Sequence, residues 1–387
     1  GLLILVILVL GVSCEKQQDT IVFRYSNSQP KAALRSQSML FFEKELEKRT
    51  QGRIQVELYF GGVLGNEREL MDFVTMGVLQ GTRGAYYADA NPKFQLFTLP
   101  FLVDDWDQAL RLMQSEFTAD INRKAKERGF HIPATGISQG FRAHTNSKLP
   151  ITHPDDLKGL KMRVPPQEVY LRTAQAFGAN PQEIPAVEIY QALKTGVVDG
   201  QDNPPSNIWD YKIHEVSKYL TITHYSTGPD PFMVHLKWYE ELPQDLKRIF
   251  DEVARETMLL SDQLNREKEK EYIQMLDDSL EVNFLSGEQL KPFQNAVKPV
   301  YDYFVSKGDF SYDDIESAKR KARKAEVTSR TTESRCLPPP LGQAKSEKQT
   351  DQVHRDPFVR TGVRHLADGC HTGDVALCLQ QLYSGSE

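Results

Sequence analysis

Three polar side chains that suit an organic acid lie between Gly140 and Pro205. Arg142 lies in GFRAHTNS, Arg163 in LKGLKMRVP and Asn203 in GVVDGQDNP. A planar guanidinium can hold a carboxylate through two parallel hydrogen bonds, and an amide offers donors and an acceptor. The residues alone leave an alternative open, because arginines on strands are commonly ion-paired and asparagines are common in turns.

The N-terminal part of the chain has the periodicity of a layered α/β lobe. A strand, a helix and a strand are predicted over 21–25, 32–48 and 54–60, and further helices over 67–76 and 106–128. This order is typical of a parallel α/β unit.

The segments that carry the polar side chains differ in kind. A strand over 161–164 places Arg163 before Pro165, whose missing amide donor ends the strand. Residues 199–205, which include Asn203, are rich in turn-forming types and are predicted to be a turn.

The length of the chain predicts two lobes, because 387 residues exceed the size at which a single core stops growing. Strands over 219–223 and 232–236 return toward the first lobe, and a long amphipathic helix follows over 246–277. Both lobes are therefore expected to be discontinuous in sequence. The expected parts are a first lobe (15–140 and about 226–245), a second lobe core (141–225), and the long helix with C-terminal helices packing on both lobes (246–325).

Composition and motifs exclude several classes of function. The 47 basic and 53 acidic residues give a net charge of −6, which indicates no nucleic-acid partner. No GxSxG, HExxH, Walker or GxGxxG phrase occurs in residues 15–325. We therefore predict a protein that is not an enzyme and that binds no metal or cofactor.

Longer phrases around these motifs resemble a known family. The phrases are KRTQGRIQVELYFGGVLGNEREL, TNSKLPITHPDDLKGLKMRVP and FGANPQEIPAVEIYQALKTGVVDGQDNP, and the matching region runs from Ile21 to about Lys324. They resemble the solute-binding subunits of tripartite ATP-independent periplasmic (TRAP) transporters, in the dicarboxylate-binding DctP-like family. The resemblance implies a two-lobed, Venus-flytrap α/β fold with a central ligand cleft and a long helix that spans both lobes.

The resemblance also implies roles for particular residues. Arg163 stands where the family places its carboxylate-clamping arginine, and Arg142 and Asn203 stand beside it. The first lobe is expected to contribute Ser28, Glu67 and residues 82–87. The TRGAYY sequence departs from the family there, so the group that reads the far end of the ligand is left open. The candidates for an aromatic wall are Tyr86, Tyr87, Trp209, Tyr225 and Phe232.

The two ends of the chain read differently from its body. Residues 1–13 form an apolar run that is shorter than the roughly 20 residues of a membrane span and resembles the end of a signal peptide. Cys14 follows it as in a lipobox, apart from Gly11, which predicts a lipid anchor in the cell envelope or periplasm; a chance cysteine is the alternative. Residues 326–387 have a disordered or non-native composition, and their three cysteines lack zinc-site spacing.

The most direct functional hypothesis is capture of a small carboxylate and its delivery to the membrane subunits of a TRAP permease driven by an ion gradient. Two alternatives stay open at this point. The same closing module can serve a signalling receptor as a ligand sensor. The tyrosines and the TRGAYY sequence also suit a lipoprotein that binds a more apolar or lipid-like ligand. The identity of the acid and the oligomeric state are not specified by these patterns.

Overall fold

The computed structural model describes residues 20–84 and 86–323. The predicted signal segment with Cys14 and the tail 326–387 lie outside these residues. Among the helices that are described, none is long and apolar enough to cross a membrane.

The described residues form strands from both halves of the chain. They are β1 Ile21–Ser26, β2 Ile54–Tyr59, β3 Gly81–Thr82, β4 Phe130–His131, β5 Thr135–Ile137, β6 Ala143–Asn146, β7 Lys161–Val164, β8 Asn180–Glu183, β9 Gly200–Asn203, β10 Tyr219–Ile222, β11 Pro229–Pro231, β12 Met233–His235 and β13 Glu281–Phe284.

The α-helices lie between and after these strands. They are α1 Leu34–Arg49, α2 Glu67–Thr75, α3 Tyr87–Ala90, α4 Trp106–Met113, α5 Glu116–Lys124, α6 Glu168–Ala176, α7 Ile189–Lys194, α8 Pro205–Asp210, α9 Leu236–Glu241, α10 Gln244–Asp277, α11 Lys291–Ala296, α12 Lys298–Lys307 and α13 Tyr312–Arg323.

Two mixed sheets define the two lobes. The first lobe is built on a five-stranded sheet of order β2-β1-β3-β12-β4, and the second on a six-stranded sheet of order β13-β10-β6-β9-β7-β8. Strands β5 and β11 form a separate antiparallel pair. Because β12 follows β10 in the chain yet joins the first sheet, the chain passes from one sheet to the other and back.

The long helix α10 ties the two lobes together. Its 34 residues extend about 51 Å at about 1.5 Å per residue. It packs against α1 of the first lobe and against α8 and β13 of the second. Phe250 on its apolar face joins a buried aromatic cluster with Phe23 of β1 and Phe42 of α1. The predicted α/β, two-lobed architecture with a long spanning helix is confirmed, whereas the predicted lobe boundaries stay predictions.

Two local predictions are wrong. The single helix expected over 106–128 is broken into α4 and α5, because the Ser115 hydroxyl accepts a hydrogen bond from the Thr118 amide at 3.4 Å and starts a new helix. The turn expected over 199–205 contains strand β9, which lies between β6 and β7 in the second sheet. Strand β9 was predicted to be a turn because its side chains are polar, whereas a buried strand normally consists of a run of apolar residues.

Candidate ligand-binding site

A cleft between the lobes encloses about 630 Å³ of space, including its open mouth. Most of the side chains that line it are polar, with amides, hydroxyls and guanidiniums from both lobes. Seven of the predicted site residues line it, namely Ser28, Glu67, Tyr86, Tyr87, Arg142, Arg163 and Asn203. A polar, partly enclosed cleft of this kind suits a small charged or hydroxylated molecule.

Arg163 reaches the cleft from strand β7, and Pro165 and Pro166 follow the end of that strand. Its side chain is buried, and its Nε donates a hydrogen bond to the Ile184 carbonyl at 2.7 Å. Within residues 20–84 and 86–323, its two terminal nitrogens have no hydrogen-bond partner and it forms no ion pair. The end of the guanidinium is therefore available to a ligand.

Burial lowers the pKa of Arg163 to about 10, and Glu67 across the cleft offsets this only in part. A lowered arginine pKa means that its environment disfavours positive charge. A carboxylate that binds beside Arg163 would supply the missing negative charge and accept two hydrogen bonds.

Arg142 lies in the cleft lining just before strand β6, but its guanidinium is already occupied. Its Nε donates to the carboxylate of Asp202 and its Nη2 to the Asp202 carbonyl, while its guanidinium carbon stands 4.5 Å from the Tyr170 ring centroid. Although burial disfavours its charge, Asp202 raises the pKa of Arg142 above its ordinary value. Arg142 therefore carries a charge that the fold itself neutralises.

Asn203 is the last residue of strand β9, and hydrogen bonds hold its side chain in place. Its Nδ2 donates to Gln201 at 2.6 Å, and its Oδ1 accepts from Asn207 at 3.2 Å. Gln201 in turn donates to the hydroxyl of Thr145 on β6 at 2.7 Å. These bonds satisfy polar side chains inside the sheet and leave Asn203 a second amide hydrogen for the cleft.

The first lobe contributes Ser28, Glu67 and Tyr87, the side chains predicted for the opposite wall, to the cleft lining. Ser28 donates to the Glu67 carboxylate at 2.7 Å, and Glu67 begins α2 directly after its N-cap, Asn66. The Tyr87 hydroxyl bonds to that of Thr98 at 2.7 Å, and burial raises the pKa of Tyr87 well above its ordinary value. Glu67 thus offers an acceptor, whereas Tyr87 presents mainly its ring.

Three residues expected in the aromatic wall, Trp209, Tyr225 and Phe232, are absent from the described cleft lining. Trp209 stacks on His214, with ring centroids 4.3 Å apart. Tyr225 donates to Asp202 and stacks on His144 at 4.9 Å, so it lines a smaller inner cavity of about 280 Å³. The hydroxyl of Tyr225 is drawn to the buried carboxylate rather than to the cleft.

The other two candidates for the aromatic wall, Tyr86 and Phe232, also lie in different places. Tyr86 lines the cleft, and the Arg68 guanidinium lies 3.7 Å from its ring centroid. Phe232 is fully buried in the core of the first lobe, where it stacks on Tyr25 at 4.7 Å.

Sequence reasoning missed several cleft residues. They are Gln29, Arg35, Gln139, Asn207 and Tyr211. Gln29 of the first lobe donates to Gln139 at 2.6 Å and to Asn207 of the second lobe at 2.9 Å. None of these residues lies in the phrases that resemble the family, and Arg35 lies in a segment that was predicted only as a charged helix. In the described part of the chain, no group of three or more metal-ligating side chains occurs.

Comparison with known families decides what kind of protein this is. The sequence profile of the DctP family, bacterial extracellular solute-binding protein family 7, matches residues 25–307. The chain belongs to this family. Solute-binding proteins of the family bind small organic acids for TRAP transporters, so this chain is a periplasmic transport protein of that class.

Similar proteins bind different acids. The C4-dicarboxylate-binding periplasmic protein DctP of Rhodobacter capsulatus is 28% identical over 304 residues, which cover 76% of this chain and 90% of the relative. The sialic acid-binding periplasmic protein SiaP of Vibrio cholerae is 28% identical over 268 residues, covering 67% and 81%.

A solved structure shows the same two-lobed fold. It is the sugar acid binding protein DctPAm of Advenella mimigardefordensis in complex with galactonate, at 25% identity and a TM-score of 0.74. The match covers 78% of this chain and 98% of that one.

Proposed function

We propose that this protein captures a small organic acid outside the cytoplasmic membrane, with Arg163 as the anchor of its carboxylate, and delivers it to an ion-gradient-driven TRAP permease. The observation that carries the proposal is a buried guanidinium without an ion pair among the described residues. The molecules named for the three relatives above, a C4-dicarboxylate, sialic acid and galactonate, all contain a carboxylate.

Each polar residue has a separate role in this proposal. The terminal nitrogens of Arg163 bind the carboxylate, and Asn203 donates its second amide hydrogen to the same end of the ligand. Arg142 positions β9 through Asp202 rather than contacting the ligand with a free fork, because its Nε and Nη2 are committed. A charge-assisted, water-excluded contact at Arg163 is stronger than an exposed one.

Closure of the lobes is part of the same proposal. Gln29 already bonds to Asn207 across the cleft, so the described form holds the lobes together. A ligand stabilises this closed form only if it binds it more tightly than an open one. A carboxylate held by Arg163 and by the first lobe at once meets that condition.

The test begins with native mass spectrometry of freshly purified protein, which identifies any acid that co-purifies. Calorimetry then measures the affinity of that acid for the wild type and for Arg163→Ala. We expect a loss of at least about tenfold, because charge-assisted hydrogen bonds are removed. Arg24→Ala, on an exposed arginine paired with Glu57, is the matched control and keeps wild-type affinity. An unchanged affinity in Arg163→Ala removes Arg163 from the site.

We also propose that Cys14 carries a lipid that anchors the protein to a membrane, which rests on the lipobox-like pattern of the sequence alone. Mass spectrometry of the mature N-terminus is expected to find Cys14 with acyl chains attached. Cys14→Ala is expected to move the protein from the membrane fraction to the soluble one. A mature N-terminus without a lipid contradicts this part of the proposal.

A further inference from the structure

A second cluster of buried charge lies on the first-lobe side of the cleft. Asp230 of β11 is fully buried, and its Oδ2 accepts hydrogen bonds from Arg35 at 3.1 Å and from Arg83 at 2.6 Å. Burial alone would raise the pKa of Asp230, but the two guanidiniums hold it below its ordinary value. One ionised carboxylate thus serves two arginines, and the cluster has a surplus of one positive charge.

The two arginines differ in their access to the cleft. Arg35 lines it, and its Nη2 donates to the hydroxyl of Ser138, another lining residue, at 3.2 Å. Gly84 has a φ of +70° and lies so close that a Cβ there would stand 2.1 Å from Nη1 of Arg35. Arg83 is absent from the described lining and bonds to Ser38 and Ser261 behind it. The surplus charge therefore faces the ligand through Arg35.

A count of formal charges limits what can bind. The set contains the charged lining residues of the described chain, their ion-pair partners Asp202 and Asp230, and the second arginine that pairs with Asp230, which is Arg83. It comprises Arg35, Arg83, Arg142 and Arg163 against Glu67, Asp202 and Asp230. Four positive and three negative charges leave one positive charge. Burial raises the pKa of Asp262 behind the cluster to about 7, so Asp262 is neutral when protonated and removes one positive charge when ionised. With Asp262 protonated, a singly charged ligand leaves the site neutral. A dianion leaves at least one negative charge in either form of Asp262, which is expensive to bury.

We propose that Arg35 is a second ligand-binding guanidinium, supplied by the first lobe. Its Nε and Nη2 are committed, so it offers no free fork, and its Nη1, which has no hydrogen-bond partner among the described residues, donates a single bond to an uncharged oxygen at the far end of a hydroxylated monocarboxylate. This rests on the proposed function, in which Arg163 holds the carboxylate from the second lobe. Arg35 and Arg163 line the same cleft, so both guanidiniums act on one ligand volume. The cleft amides and the acceptor oxygen of Glu67 complete a wall that suits hydroxyl groups.

The experiment compares acids of equal chain length that differ in the far end. One set is butyrate, succinate and 4-hydroxybutyrate, and a longer set is hexanoate, adipate and 6-hydroxyhexanoate, each titrated by calorimetry. We expect the hydroxylated acid to bind best within its set. Arg35→Gln should weaken the hydroxylated acid by about tenfold and the unsubstituted acid by less than about threefold. Asp230 keeps Arg83 in this variant, so the fold should survive.

Arg83→Met is the matched control, because Arg83 shares Asp230 with Arg35 but lies outside the described lining. It should lower stability and leave the ranking of the acids unchanged. If Arg35→Gln does not fold, Arg35→Lys keeps the charge without the planar fork and should still narrow the preference for the hydroxylated acid.

Three results overturn the inference while the proposed function stands. They are tightest binding of the dicarboxylate, tightest binding of the unsubstituted acid, and an equal loss for all acids in Arg35→Gln. Binding of none of these acids to the wild type is a failure of the proposed function itself.

Discussion

Arg142 and Arg163 lie in neighbouring parts of the second lobe and are equally hidden, with exposures of 6% and 3%, yet their surroundings are opposite. Arg142 is paired with Asp202, and its pKa is raised above the ordinary value. Arg163 has no acidic partner within 4 Å in the described chain, and burial lowers its pKa to about 10. Both arginines are predicted from the sequence to bind a ligand, but the described fold supplies an acidic partner to only one of them.

The difference separates an arginine that supports the structure of the cleft from an arginine whose charge is available to a ligand. An uncompensated buried charge destabilises a fold, so its presence in a cleft is a reason to expect a ligand of opposite charge. Strand β9 lies between the strands that lead to the two arginines, pairing with β6 on one side and β7 on the other. Asp202 on this strand serves Arg142, while Asn203 faces the cleft.

The largest expected effect is on stability and comes from breaking the paired side. Arg142→Gln leaves the Asp202 carboxylate buried without its guanidinium, which should lower the free energy of unfolding by about 3–5 kcal/mol. Urea denaturation of ligand-free protein measures this. Adding Asp202→Asn should restore more than half of the loss, since the double variant buries no lone charge. A single-variant loss below about 1 kcal/mol contradicts the assigned pairing role.

Next in size is a pH effect near the paired arginine. Burial lowers the pKa of His144 to about 4, against an ordinary value of 6.5. The unfolded chain therefore takes up a proton first, and stability is lost as the pH falls from about 6.5 toward 4, by up to about 3 kcal/mol.

Unfolding free energies of wild type and His144→Asn across this range isolate the contribution of the histidine. The difference between the two proteins should change with pH in that window and stay flat above pH 7. A flat difference throughout refutes the assigned pKa.

A smaller effect is expected from the strand that lies between the two arginines. A Cβ on Gly200 would stand 2.4 Å from the Thr145 carbonyl and 2.8 Å from the Met162 sulfur. Gly200→Ala should therefore cost about 2 kcal/mol of stability through overpacking, measured by urea denaturation.

Because β9 also carries Asn203, the Gly200→Ala substitution should weaken ligand binding as well, which calorimetry tests. Gly159→Ala is a control for the loss of a glycine. That site has a positive φ but no neighbouring atom within 4 Å, so only backbone strain is added there and ligand affinity should not change. Equal losses of ligand affinity in Gly200→Ala and Gly159→Ala would contradict the prediction.

The smallest effect concerns the unpaired side without ligand. Arg163→Met removes a charge that is costly to bury and loses one hydrogen bond to the Ile184 carbonyl. The two changes oppose each other, so the unfolding free energy should rise by about 1 kcal/mol or stay level. A marked loss of stability would place Arg163 with Arg142 as a structural arginine.

The sequence predicted the architecture, and the three residues that it predicted to bind a carboxylate, Arg142, Arg163 and Asn203, line the cleft. Helical periodicity and the alternation of strands and helices predicted the first lobe and the long helix α10. The sequence around Arg163 predicted a strand that ends just before two prolines. Partners distant in sequence were missed. Nothing local indicates that Arg142 meets Asp202, or that Arg35 and Arg83 meet Asp230.

The errors share a cause. GQDN reads as a turn because its residues are polar, yet in the fold they bond to one another and to β6, so the strand is buried. Trp209 and Tyr225 are candidates for the aromatic wall by residue type, but they pack against His214 and Asp202 outside the described lining of the cleft. Contacts between distant segments decide such cases, and single-chain patterns do not contain them.

The central claim is that Arg163 binds the carboxylate of the ligand while Arg142 supports the site. The most direct measurement is the urea midpoint of the wild type and of Arg163→Met as the best-binding acid is titrated. A ligand that binds the folded state raises the midpoint with concentration. We predict a steady rise for the wild type and, for Arg163→Met, the same rise only at acid concentrations at least about tenfold higher. An equal rise in the two proteins would contradict the claim.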